Sequence, residues 1–439
     1  MTRSHLSNAA YNVLEYVAQP ASMLVAAPVL IHRLGIAPYG LWLIASAVAG
    51  TGSVVSAGFG DAIVQRVASL TASGDHEGVR GVVRTMLAIN FVLGITFAVA
   101  LWLLVPWIVG RVTHYDARLY FTCLWALRLG APLIVVKAVE SVFISAQKAY
   151  QRYGPAVRIG LVTRLSTIVA CVVLALAGYG VVALMLATVV LSVLGALAQG
   201  VTVRRHLGAA PMGLGFDRAV SRQLFSFGGF TWLQAISGVI FSQADRLLLG
   251  AMLGPAAVAY YGIAVQMALP IHGLTAAGLH FFFPYVASHF AVAPLDGLRR
   301  PVLTAFAVNV LCASSLTALV VCLGPKILAR WMGPAFAAQT AGLLPLIALG
   351  FGLLALNVTA HYTLMALGHV RIVTLANVAG GVLMLSTMAV LIPAYGVRGA
   401  ALARLWYGPV TCLLYLPLLG LLRGPFATAR IGHAEAGRA

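Results

Sequence analysis

Acidic residues are scarce in this chain: only 10 of 439 residues are Asp or Glu, and all charged residues together make up 9%. A soluble domain carries about 25% charged residues, so a water-facing globule of this length is excluded. Cysteine is equally sparse. Cys123, Cys171, Cys312, Cys322 and Cys412 each sit alone in an apolar stretch, with no CxxC and no histidine at metal-ligand spacing, which excludes a disulfide scaffold or a zinc site. The sequence also lacks GxxxxGK[ST], HExxH and GxSxG, so nucleotide hydrolysis and common hydrolase chemistry have no recognisable parts. The longest interior polar loop, 63–84, offers only Asp75 and Glu77 in a glycine-containing turn. A membrane enzyme handling metal-bound sugar nucleotides needs paired carboxylates or a large catalytic loop, and this chain has neither. No cofactor or metal is expected.

What fills the chain instead is hydrocarbon: 61% of the residues are hydrophobic. Apolar runs long enough to cross a bilayer, about 20 residues each, recur near 9–32, 40–62, 85–110, 119–146, 157–178, 181–203, 223–253, 256–290, 301–323, 340–367, 371–392 and 397–422. The sequence thus predicts an all-α polytopic membrane protein of about twelve transmembrane helices. The first run follows Arg3 and His5 and has no small-residue cleavage site, so it reads as a retained helix rather than a signal peptide.

A formal charge of +18 would suggest nucleic acid in a soluble protein, but here the basic residues punctuate the spans. Arg3, Arg66, Arg80, Arg84, Lys148, Arg152, Arg158, Arg204, Arg205, Arg218, Arg222, Arg299, Arg300, Arg371, Arg423, Arg430 and Arg438 fall on one side. The other side has only Arg33, Arg111, Arg118, Lys326, Arg330 and Arg398. The positive-inside rule then places both termini in the cytoplasm. No nucleic-acid partner is expected.

The chain also repeats. Leu34-Gly35 with Tyr39-Gly40 recurs as Leu253-Gly254 with Tyr261-Gly262, and Gly178-Tyr179-Gly180-Val181 recurs as Ala394-Tyr395-Gly396-Val397. The offset is close to half the chain, and each half holds six spans, so the halves enter the membrane in the same direction. They are related by a pseudo-two-fold axis along the membrane normal. The expected organisation is an N-terminal lobe 1–203, a cytoplasmic linker 204–222, a C-terminal lobe 223–422 and a tail 423–439, with a cavity between the lobes.

Eight charges fall inside spans: Arg128, Lys137, Arg164, Arg246 and Arg404, with Glu15, Glu140 and Asp245. A charge at the bilayer centre costs at least about 2.5–3.5 kcal/mol on insertion scales, so such residues face a wet cavity or a partner. The basic residues are the candidate path for an anionic head group, which Arg grips with bidentate hydrogen bonds. The acidic ones are candidates for coupling or for structural ion pairs. Lys137 and Glu140, three residues apart, can neutralise each other on one helical face. Asp245 and Arg246 are adjacent and point in directions about 100° apart. Arg128 falls opposite Lys137 unless Pro132 bends the helix between them. His272, His280 and His361 could titrate near neutral pH, although lone helix histidines are more often packing residues.

Several segments carry a family resemblance. They are Arg33-Leu34-Gly35 with Tyr39-Gly40, Gln147 through Gly154, Asp245-Arg246-Leu247-Leu248-Leu249-Gly250 followed by Leu253-Gly254 and Tyr260-Tyr261-Gly262, Gly368-His369-Val370-Arg371, and Ile392 through Ala401. In this order and spacing the chain resembles the polysaccharide-transport branch of the multidrug/oligosaccharidyl-lipid/polysaccharide flippase superfamily, over almost its whole length. The resemblance implies a MATE-like bundle of six plus six helices in the inner membrane, with alternating access through a cationic cavity. The implied cargo is an undecaprenyl-diphosphate-linked oligosaccharide, moved from the cytoplasmic to the periplasmic leaflet for O-antigen or exopolysaccharide synthesis. Its implied partners are that lipid-linked oligosaccharide, membrane lipids and a polysaccharide polymerase, with the chain itself a monomer. Asp245 stands where the family commonly carries an acidic residue late in the seventh span. The rival readings are a multidrug or cation antiporter of the same superfamily, a peptidoglycan-precursor lipid flippase, and, from another class, a membrane glycan polymerase or glycosyltransferase.

Overall fold

The structure, a computed structural model, describes residues 22–51, 73–113, 117–150, 153–207, 215–218, 242–280 and 295–423, with a few isolated positions between them. In the first half the helices are α1 (Ser22–Leu34), α2 (Ile36–Thr51), α3 (His76–Thr113), α4 (Ala117–Arg128), α5 (Gly130–Ala149), α6 (Tyr153–Leu176) and α7 (Val181–Leu207). The second half has α8 (242–253), α9 (Pro255–Leu279), α10 (Arg299–Met332), α11 (Pro334–Thr340), α12 (Leu344–Leu356), α13 (Val358–Ala366), α14 (Val370–Tyr395), α15 (Val397–Arg404), α16 (Tyr407–Cys412) and α17 (Tyr415–Arg423). Among the described residues, nine helical stretches are long and apolar enough to cross a bilayer, and α1 and α2 are shorter apolar helices.

Four spans depart from the simple reading of the sequence. The run at 119–146 is broken at Leu129, between α4 and α5. In the run at 256–290 the continuous helix ends at Leu279 with a turn at His280, and Phe282, Phe283, Tyr285 and Val286 are helical again. The run at 340–367 is split into α12 and α13, with α11 just before it, and the run at 397–422 into α15, α16 and α17. Pro345 in the first turn of α12, and Pro409 and Pro417 in the last segment, remove backbone N–H donors that a continuous helix would need. Side chains add hydrogen bonds to the backbone near these breaks: Thr411 donates to the Tyr407 and Gly408 carbonyls, and Tyr415 donates to that of Leu356 at 2.6 Å. In lipid no water can serve such backbone groups.

The internal repeat is visible as architecture. In the first half α3 packs on α5, α5 on α7, and α6 on α7; in the second, α10 packs on α12, α12 on α16, and α14 on α15 and α16. These are the same pairings of third with fourth, fourth with sixth and fifth with sixth span. Among the described residues the two halves thus pack in the same pattern. They meet where α2 lies along α9, the symmetry-related second span of each lobe. Each of these helices is preceded by a left-handed glycine, Gly35 (φ 91°) and Gly254 (φ 80°), and each buries its repeat tyrosine, Tyr39 and Tyr261, completely. The seam is tight: a Cβ at Gly40 would overlap the Pro255 carbonyl.

Packing follows membrane rules. Small residues admit close neighbours, as Gly94 does for Val135 and Gly200 for Phe143, because helix association in lipid depends on close van der Waals contact rather than apolar burial. Large apolar side chains such as Leu103 (72% exposed), Val390 (72%) and Leu311 (68%) point outward to where hydrocarbon would lie. Within the first lobe Gln147 donates to Gln199 at 2.6 Å, and Gln199 donates to the Ala156 carbonyl at 3.0 Å. This stitches α5, α6 and α7 into one body.

Candidate functional site

Three helix faces build a cavity in the first lobe. On α5, Leu133, Lys137, Glu140, Ser141, Ile144 and Lys148 recur at spacings of three and four; on α6, Gly160, Thr163, Arg164 and Thr167 do the same; on α7 the stripe is Met185, Thr188 and Ser192. Such spacing places each set on one face of its helix. Trp42, Ser46, Ala49 and Gly50 of α2 form another wall, and Gln243 of α8 reaches in from the second lobe. The enclosed space is about 520 Å³.

Three cations, Lys137, Lys148 and Arg164, and one carboxylate, Glu140, line this space. Lys137 Nζ donates to Glu140 Oε2 at 2.7 Å; the Lys137 side chain is 40% exposed and Glu140 only 6%. Glu140 is therefore already committed to a cation, and the wall keeps an excess of positive charge. Thr167 and Thr188 donate back to the carbonyls four residues earlier, to Thr163 and Leu184. Their hydroxyl lone pairs remain available as acceptors toward the cavity.

The second lobe treats its charges differently. Arg404 Nη1 donates to Asp245 Oδ2 at 2.6 Å and to the Tyr261 hydroxyl at 3.1 Å, while Tyr261 donates to the same carboxylate oxygen at 2.9 Å. The other oxygen, Asp245 Oδ1, accepts the backbone N–H of Arg246 at 2.8 Å. Asp245 is 1% exposed, and the Arg404 guanidinium lies 4.2 Å from the centre of the Phe351 ring. This is a closed, satisfied knot joining α8, α9 and α15.

The remaining predicted charges go elsewhere. Arg246 is turned away from the knot, and its Nε is buried without a hydrogen-bond partner. Arg128 ends α4, where the break at Leu129 separates it from α5; it packs 4.8 Å from the Trp102 ring centre and 5.5 Å from that of Trp125. Glu15 lies outside the described residues. The structure thus brings Lys137, Glu140 and Arg164 together, pairs Asp245 with Arg404, and leaves Arg128 and Arg246 apart from both groups. His272 and His361 line a separate polar space of about 180 Å³ with Asn357, Asn377 and Tyr407. Lys148, Trp42 and Gln243 were not singled out in the sequence. Lys148 could have been: it continues the stripe of Lys137, Ser141 and Ile144 by one turn.

The cavity is closed at one end. Leu43 of α2 contacts Gly262, Ile44 contacts Gly250, and Gly40 meets Pro255, all at the α2 end that follows Gly35. Of the cavity residues of α2, Trp42 lies beside these contacts and Ser46, Ala49 and Gly50 lie toward its other end.

Comparison with known proteins agrees with this architecture. Residues 32–289 match the family described as "Polysaccharide biosynthesis protein". A Shigella flexneri protein provisionally named an O-antigen transporter is 20% identical over 91% of this chain and 94% of its own length. An uncharacterized Bacillus subtilis membrane protein, EpsK, is 28% identical over 26% of this chain and 23% of its own length. Among solved structures, an inward-facing multidrug resistance MATE family transporter superposes with a TM-score of 0.68 at 15% identity, covering 97% of each chain. The lipid II flippase MurJ, in an inward closed conformation, gives 0.66 at 12% identity over 95% of this chain and 86% of its own. The chain belongs to the polysaccharide biosynthesis protein family.

Proposed function

We propose that the protein flips an undecaprenyl-diphosphate-linked oligosaccharide repeat unit from the cytoplasmic to the periplasmic leaflet of the inner membrane, for surface polysaccharide synthesis. The observation that carries this reading is the first-lobe cavity, where Lys137, Lys148 and Arg164 stand over a wall of hydroxyls with their one carboxylate already paired. A diphosphate needs cations, and sugars need hydrogen-bonding groups held in place. Both are here.

With the termini in the cytoplasm, the seal of α2 against α8 and α9 lies on the periplasmic side, and the cavity opens inward. The state described is then the one that receives cargo. The head group rests among Arg164, Lys137 and Lys148; the lobes rock about the α2–α9 seam; the cavity opens to the other face; and the isoprenoid tail stays in lipid. The boundaries 1–203, 204–222, 223–422 and 423–439 describe these two bodies, their linker and the tail. The chain acts as a monomer and passes its cargo to a polysaccharide polymerase. A cation antiporter would need free carboxylates to hold its cargo, whereas among the described residues Glu140 is engaged by Lys137 and Asp245 by Arg404 and Tyr261.

Deleting the gene in its host and analysing the extractable lipids tests this. Accumulation of undecaprenyl-diphosphate oligosaccharide on the cytoplasmic leaflet, with loss of surface polysaccharide, is expected. Intact surface glycan together with new sensitivity to cationic drugs would overturn the proposal in favour of the antiporter.

A further inference from the structure

A second cavity is larger than the cationic one. It is a groove of about 1040 Å³ on the outer flank of the second lobe, between the end of α9 and the start of α10. Leu274, Leu279, Phe282, Val308 and Leu311 give its walls their character, and several are open to the surroundings: Leu274 is 39%, Val308 47% and Leu311 68% exposed. The buried polar side chains of the wall direct their donors into the protein, Thr275 to the Ile271 carbonyl at 2.6 Å and Asn309 Nδ2 to the Leu356 carbonyl at 3.1 Å. What fits such a groove is a hydrocarbon chain.

One end of the groove is different. Arg300 lines it there, Arg299 is its exposed neighbour, and the first turn of α10 holds no acidic residue. From Arg300 to Leu316 the wall rises about 24 Å at about 1.5 Å per residue, whereas one leaflet of hydrocarbon is only about 15 Å deep. An acyl chain anchored at the interface ends near the midplane. A groove that continues well past it suits a longer chain with an anionic head.

We propose that this groove holds the polyprenyl chain of the lipid-linked cargo in the cytoplasmic leaflet, its phosphate against Arg299 and Arg300, before the head group passes into the first-lobe cavity. The inference rests on the flippase reading and gives it a site on the opposite lobe from the cavity. Division of labour follows: one lobe recognises the tail, the other the head.

The test uses the full chain in lipid nanodiscs with a diazirine-bearing undecaprenyl phosphate, and a diazirine-bearing phosphatidylglycerol as comparison. The prenyl probe is expected to label the 274–285 and 300–316 peptides in excess over the phospholipid probe, with unlabelled undecaprenyl phosphate competing. Arg299→Gln and Arg300→Gln are expected to weaken that labelling by about five-fold for each charge removed. Val308→Trp with Leu311→Trp, which fills the groove, is expected to lower it while the arginines remain. Equal labelling by both probes, or labelling unchanged in both sets of variants, overturns the proposal. Transport in proteoliposomes, measured in parallel, separates the two ideas: unlabelled groove with normal flipping removes only the groove, and a labelled groove without flipping removes the transport reading.

Discussion

The two lobes share a fold and a helix-pairing pattern, yet they handle buried charge in opposite ways. In the first, Lys137, Lys148 and Arg164 outnumber Glu140 around an open space. In the second, Asp245, Arg404 and Tyr261 are hydrogen-bonded to one another in a buried cluster. A repeated architecture has diverged into one half whose cations outnumber the carboxylate around a cavity and one half whose buried charges pair with each other. Charge inside a membrane therefore marks function only when its partners have been counted.

The sharpest way to break this contrast is to open the knot. Arg404→Ala strands Asp245 in a site that is 1% exposed, and removing one partner of a buried pair costs about 3–5 kcal/mol. The expected outcome is a large fall in Tm of the detergent-purified protein, with Asp245→Asn in the same chain recovering much of it. Transport lost while Tm stays unchanged would mean that Arg404 acts on cargo instead. The next effect belongs to the cavity: Arg164→Glu with Lys148→Glu should lower surface glycan export by about tenfold or more, each charged hydrogen bond contributing about 1.5–3 kcal/mol, while Tm moves little. Export unchanged at equal expression would remove the cationic cavity from the mechanism.

Smaller differences sharpen the picture. Lys137→Ala strands Glu140, which is 6% exposed but lines the cavity, so a fall in Tm smaller than that of Arg404→Ala is expected from thermal unfolding. A loss as large as that of Arg404→Ala would make the two pairs alike. The least effect is expected from Arg128→Leu, which removes contacts with Trp102 and Trp125 worth about 0.5–1 kcal/mol and should leave export intact.

Much of the fold was legible because its rules are one-dimensional. Span length, basic loop residues and the offset of Leu34-Gly35 from Leu253-Gly254 need no knowledge of contacts, and the three-residue step from Lys137 to Glu140 prescribes their meeting. The divergence of Asp245 and Arg246 was legible for the same reason, since adjacent helical residues point apart. The meeting of Asp245 with Arg404 was not, because 159 residues separate them and no local period relates one to the other. The breaks at Leu129 and at Leu405–Trp406 were also hidden: apolar runs look continuous while prolines and lobe packing interrupt the ladder. Arg128 was legible as an intramembrane charge but not as a partner of Trp102, which comes from another helix.

The α2–α9 seam has a mechanical consequence. The contacts that close it, Gly40 on Pro255 and Leu43 on Gly262, are dry van der Waals contacts, whereas α5, α6 and α7 are tied by the amides of Gln147 and Gln199. Parting dry surfaces breaks no strong bond and strands no polar group, so these contacts yield under small loads while the hydrogen-bonded body beside them moves as one piece. In the proposed rocking motion the glycine-lined crease is where the lobes part.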